Sequence, residues 1–261
     1  MHKNLIENMI EIVYGTFVFF IPINLTGARM TTRKTQERRQ SREDSSQIAY
    51  QGIRRMLYTK ELVAGQKIAC AEVAEKLGLS PTPVVQALKR LELLGFVSHE
   101  MNRGFHITPF SIKEIEEVYE MRELLEPSLL RATIENLKKE SLTELKEAME
   151  AHLSAERDFH LKERLFKNKE FHLKLASLSG KETQIRALMN LFDILFLKYG
   201  GLPSTASLSS TDQEHQEIYD SIAMRSLDRA QIVLKNHITN VKIQFLSSVR
   251  KMLAEQERAE F

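Results

Sequence analysis

Between residues 65 and 110 the chain is punctuated in a way that leaves few folds open. The stretch AEVAEKL ends at Gly78, and Ser80-Pro81-Thr82-Pro83 follows at once. A glycine just past an apolar-periodic run closes a helix, because only glycine takes the left-handed conformation there without steric cost. A serine followed by proline opens one: the serine is an N-cap, and proline fits the first helical position, where its missing N–H is not needed. The spacing predicts one helix over 71–77 and a second over 81–94, with Val84, Ala87, Leu88, Leu91 and Leu94 on one apolar stripe and Gly95 as its stop. FVSHEMNRGFHIT then alternates, turns at Asn102-Arg103-Gly104 and alternates again, which predicts a small β-hairpin. Upstream, Ser45 and Ser46 cap a helix carrying Ile48, Ile53, Met56 and Leu57, and ELVAGQKI reads as a turn pivoting on Gly65. Two helices joined by a tight glycine turn and followed by a hairpin make a winged helix-turn-helix, whose second helix enters the DNA major groove.

Charge is divided along the chain in the same sense. Residues 31–110 hold 13 Lys and Arg against 8 Asp and Glu, while 111–261 hold 22 against 25. A basic module beside an acidic one fits a nucleic-acid reader joined to something else. The lone cysteine excludes a disulfide framework and a thiolate zinc cluster, and points to a reducing compartment.

The stretch LVAGQKIACAEVAEKLGLSPTPVVQALKRLELLGFVSHEMNRGFHI resembles the N-terminal domain of GntR-family bacterial transcription regulators. The resemblance implies binding of double-stranded operator DNA. It also exposes departures. The family pattern has arginines where this chain has Ala71, Pro81 and Val85, and a glutamate where it has Gln86. The reading surface is left with Ser80, Thr82, Gln86, Lys89 and Arg90, and with Asn102, Arg103 and His106 on the wing. Gln can read adenine bidentately, while Lys and Arg hold phosphates. The operator should therefore differ from the family's usual one.

Residues 111–261 read as helical throughout. Ser111 opens a helix with Ile115, Val118, Met121 and Leu125 on one face; Ser141 caps a second, to about 156; others span 161–178, 182–199 and 210–225, and Asp228 caps the last, to about 258. Short connections predict antiparallel packing. The fold class is thus mainly α: a winged helix-turn-helix followed by an antiparallel all-α bundle.

Three histidines point inward on three of these helices. Asn168 and His172 are one turn apart; His215 leads Ile218 and Ile222; His237 lines up with Ala230, Val233, Leu234 and Val241. Singly, each fits a hydrogen-bonded core histidine. Together, neutral imidazoles with an oxygen ligand suit a divalent metal ion, zinc or similar, with open positions. His152 and His160 read as surface or structural. Glu170 lies about 200° around the helix from Asn168, so it does not serve that face.

This region resembles the FCD ligand-binding domain of the FadR-like subfamily. The likeness lies in N-K-E-F-H at 168–172, in H-Q-E-I-Y-D-S-I from His215, and in the run D-R-A-Q-I-V-L-K-N-H that ends at His237. It implies metal ligands Asn168, His172, His215 and His237, with Asn168 where Asp is more common. It also implies that Arg122, in Y-E-M-R-E-L-L-E, meets the carboxylate of a small effector. The residues by themselves equally allow Arg122 to pair with Glu126 at i+4.

The apolar run at 10–25 contains Glu11, Gly15 and Pro22 and is too short to span a membrane. The favoured reading is a natural start near Met30, with residues 31–44 a flexible basic arm; a membrane anchor is the alternative. The domains expected are 1–44, extension and arm; 45–110, DNA binding; and 111–261, effector binding and dimerisation. Function reads as a cytoplasmic, ligand-responsive transcription regulator, working as a homodimer, without enzyme activity or membrane attachment. Two alternatives stay open: a metal-dependent enzyme acting on a small organic acid, and a helical interaction module that has lost DNA binding.

Overall fold

The computed structural model describes residues 33–109, 111–154, 161–199 and 208–259, and the side chains of all of these except 33–43, 161–165, 208–211, 252, 256, 257 and 259. The apolar run at 10–25, the region around Met30 and His160 lie outside them. The chain divides into two compact units between Thr108 and Pro109.

The N-terminal unit contains α1 (Arg33–Thr59), α2 (Cys70–Leu77), α3 (Pro81–Leu93), β1 (Val97–Glu100) and β2 (Gly104–Ile107). The helix placed at Ser45 begins twelve residues earlier, at Arg33, and takes in residues 33–44 of the basic arm. Residues 33–44 lack Gly and Pro and are rich in Arg, Lys, Gln and Glu, straight-chain residues that lose little freedom in a helix. α2 ends as its sequence demands: Gly78 sits at φ 63°, and the N–H of Leu79 reaches back to the carbonyl of Ala74 at 2.9 Å. Ser80 stands at the N-cap of α3 in extended conformation with Pro81 as first helical residue, although the serine hydroxyl accepts no capping hydrogen bond.

The core of this unit is the apolar stripe of α3 packed on α1. Ile53, Val84, Ala87, Leu88 and Leu91 are all fully buried. Each large aliphatic among them contributes roughly 1.5–3 kcal/mol on leaving water. The hairpin pairs Val97 with Ile107 and Glu100 with Gly104 around the predicted turn, where Asn102 takes φ 65°. The segment read as a simple turn does more. Ile107 donates to the carbonyl of Gln66 at 2.8 Å and Ile68 to that of Phe105 at 2.8 Å, so residues 66–68 add a third edge to the wing, bridged through Lys67 and His106.

The second unit is a helical bundle: α4 (Ile112–Glu135), α5 (Lys139–Ser154), α6 (Leu161–Ser177), α7 (Glu182–Asp193), α8 (Leu208–Ala223) and α9 (Leu227–Ala259). Ser111 caps α4 by accepting the N–H of Glu114 at 3.2 Å. Ser141 and Asp228, expected as caps, instead lie inside helices that begin at Lys139 and Leu227. The helix expected over 182–199 changes at Ile194 to a wider π turn that runs to Lys198. That turn leads into the buried Tyr199, whose hydroxyl joins Glu114 and the Ser111 carbonyl at the start of α4. α4 packs along α9, α5 along α6, and α8 along α9. Their shared core includes Ile115, Leu130, Leu145, Phe171, Ile218, Leu234 and Ile238. No helix among the described residues is long and apolar enough to cross a membrane.

Candidate functional site

The inward stripes of α6, α8 and α9 carry His172, His215 and His237 to one place in the bundle. All three are at most 1% exposed. One ring nitrogen from each lies within 4.8 Å of those of the other two. The rings of His172 and His237 stack at 5.2 Å, and that of His215 meets His237 edge-on at 4.4 Å.

Two carboxylates fix which nitrogens face the centre. Glu126 of α4 holds Nδ1 of His172 at 2.6 Å, and Glu214 of α8 holds Nδ1 of His237 at 2.8 Å. Burial opposes ionisation of Glu126, but the Arg122 guanidinium and His172 outweigh it and hold the carboxyl down to about 2. Burial likewise opposes ionisation of Glu214, and hydrogen bonds from His237 and from Asn240 at 2.6 Å bring it below the usual carboxylate range. Burial pushes the His172 imidazole down to about 4, against the opposing pull of Glu126. At neutral pH His172 therefore carries one proton, on Nδ1, donated to Glu126. Its Nε2 lone pair is left facing Nε2 of His237 at 3.3 Å.

The donor set suits a cation. With Nδ1 of His237 held by Glu214, it is the Nε2 atoms of His172 and His237 that meet at the centre. Two nitrogens on one tetrahedral zinc, each about 2.0–2.1 Å from it, stand about 3.3–3.4 Å apart, which is the separation found. Imidazoles whose far nitrogen is tied to a carboxylate are the usual orientation of zinc-binding histidines. Asn168, one turn before His172 on α6, is only half-buried, and so sits less deeply than the histidines.

Arg122 is 2% exposed and lies on α4, its guanidinium 4.2 Å above the ring of Phe192. Its Nε donates to Oε1 of Glu126 at 2.6 Å. The intrahelical pair is thus formed, and Arg122 reaches the histidines through Glu126. Among the described residues neither Nη nitrogen of Arg122 meets a hydrogen-bond acceptor. Of the two readings open for His152, surface or structural, the buried one holds: it is 2% exposed, and its ring lies 4.4 Å from that of His215. Its spacing from Leu145 and Met149 places it on the same inward stripe of α5, a signal present in the sequence. Glu126 and Glu214 were not singled out as site residues. Glu126 falls on the buried side of α4, and Glu214 directly precedes His215.

On the N-terminal unit, Thr82, Gln86 and Lys89 are exposed along one face of α3. Asn102 and Arg103 are exposed at the wing tip, with Arg103 paired to Glu100 at 3.2 Å. Two residues expected to face DNA have other engagements. Arg90 lies over the ring of Tyr50 at 4.0 Å and donates to Gln47 at 3.0 Å, which ties α3 to α1. His106 is half-buried in β2, opposite Ser98 and bridged on its other side to Lys67. The exposed Lys67 was not anticipated, because its segment read as a turn.

Comparison with known proteins agrees with both units. Residues 45–107 match the family of bacterial regulatory proteins, gntR family, and residues 117–240 match the FCD domain. The HTH-type transcriptional regulator LutR of Bacillus subtilis is 26% identical over 211 residues, covering 72% of this chain and 94% of that protein. The uncharacterised HTH-type regulator YdhC of the same organism is 28% identical over 101 residues; that match covers 39% of this chain and spans less than half of YdhC, 45% of its length. The solved structure of Escherichia coli McbR/YncC shares the fold at a TM-score of 0.64 and 19% identity, covering 82% of this chain and 98% of that one. The chain belongs to the gntR family of bacterial regulatory proteins and joins that family's domain to an FCD domain.

Proposed function

We propose that this regulator binds operator DNA as a homodimer and is controlled by a small carboxylate held beside a divalent metal ion in the FCD domain. The observation that carries the reading is the pair of Nε2 atoms of His172 and His237, 3.3 Å apart, with both Nδ1 atoms tied to carboxylates. His172, His215 and His237 would hold the ion, with Asn168 supplying a neutral oxygen. A bound zinc-like ion supplies a positive charge and open coordination positions for an anion. Arg122 would meet the same anion through its Nη groups, since a planar guanidinium holds a carboxylate bidentately.

The DNA-binding domain, residues 45–110, would read its operator through Thr82 and Gln86 from α3. Ser80, Lys89, Asn102 and Arg103 would sit near phosphates, with Arg90 and His106 supporting the surface from behind. Two such domains in a dimer call for a roughly palindromic operator in the cytoplasmic DNA. Residues 111–261 would carry effector binding and dimerisation. The effector changes operator affinity only through a difference in its affinity for two arrangements of the protein.

The test has two parts. Elemental analysis of purified protein should find about one zinc-like ion per chain, lost in His215→Ala. A gel shift on the protein's own upstream DNA should be salt-sensitive and respond to a carboxylate only when the metal is present. A metal-free wild type with unchanged fold, or an operator shift indifferent to every acid the protein binds, overturns the reading.

A further inference from the structure

We infer that two copies of this chain join through the outer face of α4, the two helices crossing antiparallel about a two-fold axis at Leu124. This rests on the homodimer reading above and names the surface that makes the dimer.

α4 turns Ile115, Val118, Tyr119, Arg122 and Glu126 into the bundle. Its opposite face is open, and its middle is apolar: Leu124 is 70% exposed and Met121 is 49% exposed. An exposed leucine is ordinary by itself. What singles this one out is the order of the charges on either side of it. Glu117 lies seven residues before Leu124, and Arg131 lies seven after. Lys113 lies eleven before, and Glu135 eleven after. Glu120 and Ser128 flank it at four residues. At 3.6 residues per turn all six fall within about 40° of Leu124 around the helix, and all six are exposed.

A two-fold contact presents the same patch on both copies, so that each residue i meets j and each j meets i. An antiparallel crossing at Leu124 therefore sets Glu117 against Arg131 of the second copy, and Lys113 against its Glu135. Glu120 falls opposite the uncharged Ser128. Each pair occurs twice, and no like charges meet. The two leucines meet on the axis, with the Met121 side chains beside them. A parallel pairing in register would instead set Glu117 on Glu117 and Arg131 on Arg131. The charges are open to such a partner. Among the described residues Glu120, Arg131 and Glu135 form no ion pair. Lys113 reaches Glu117 at 3.6 Å, but with side chains 83% and 60% exposed that contact is weak. Covering the apolar middle supplies the affinity. The flanking charges fix the register and repel wrong pairings.

Sedimentation velocity of the full chain over a concentration series reads the dimer dissociation constant. The wild type should sediment as a dimer. Leu124→Glu puts two like charges on the axis, and should raise the constant at least about tenfold. Glu117→Arg and Arg131→Glu should each raise it about tenfold as well, because either change alone brings like charges together twice. Combining both changes in one chain restores every opposite-charge pair and should recover wild-type dimerisation. An equimolar mixture of the two single variants should do the same, by forming mixed dimers. A wild-type dimer that Leu124→Glu leaves unchanged, or single reversals that neither the combination nor the mixture rescues, overturns the inference and leaves the homodimer reading standing. A wild type that stays monomeric at every concentration overturns both. Should Leu124→Glu fail to fold, the charge reversals and their mixture alone decide.

Discussion

In the N-terminal unit the buried side chains are apolar throughout the described residues, whereas the helical unit buries Arg122, Glu126, Lys198 and four histidines. The difference separates two ways of carrying function. The DNA-binding unit keeps its chemistry outside, on α3 and the wing, so its core is free to serve stability alone. The helical unit places charged and hydrogen-bonding groups in its interior, where each must be matched or it destabilises the fold. A reader of DNA meets a large partner at its surface, whereas the proposed small effector would have to be surrounded.

Mutations should break this contrast in a definite order. The largest effect belongs to the buried network. Glu126→Ala strands the Arg122 guanidinium and the Nδ1–H of His172, and should lower the stability of the metal-free protein by about 3–5 kcal/mol. Replacing both Arg122 and Glu126 with Met should cost far less, because no charge is left unpaired. Urea unfolding of the single and double variants checks it; equal losses would mean that the pair acts through packing. Next comes the apolar core of the other unit. Leu88→Ala empties a fully buried position and should cost about 2–5 kcal/mol, with no change in metal content.

The third effect separates the units by ligand. Zinc at a hundredfold excess over its Kd should stabilise the helical unit by about 2.7 kcal/mol. His172→Ala or His237→Ala should abolish that gain, and Leu88→Ala should leave it intact; calorimetric melting with and without the metal distinguishes these. The smallest effects are at the DNA surface. Gln86→Ala should cost about 1–3 kcal/mol on the operator and relax preference at one base position. Lys89→Ala should weaken binding to all sequences alike and reduce the salt slope by about one. Gel shifts across a salt series would show whether the two residues differ in this way.

Much of the architecture could be read locally. Gly78 and Ser80-Pro81 bracket two helices because φ near 63° and a missing N–H are properties of single residues. The inward placement of His172, His215 and His237 followed from helical spacing alone. Arg90 shows where that logic stops. Its exposed position on α3 fits the expected phosphate contact, but its engagement with Tyr50 and Gln47 on α1 could not be read locally, because a helix packed from 43 residues away leaves no periodic trace on α3. His152 was legible only as surface or structural; the stripe of Leu145 and Met149 that carries it inward decides for the second.

What the sequence determined by itself were most of the elements, the ends marked by Gly78, Ser80-Pro81 and Ser111, and the inward face of the histidine-bearing helices, since these depend on backbone sterics and on a period of 3.6 residues. Only the tertiary structure decided that Glu126 would join Arg122 to His172, that Glu214 would orient His237, and that two Nε2 atoms would meet at 3.3 Å. Those contacts depend on how α4, α6, α8 and α9 cross. Crossing is set by the fit of many side chains at once, and no single stretch of the chain contains that information.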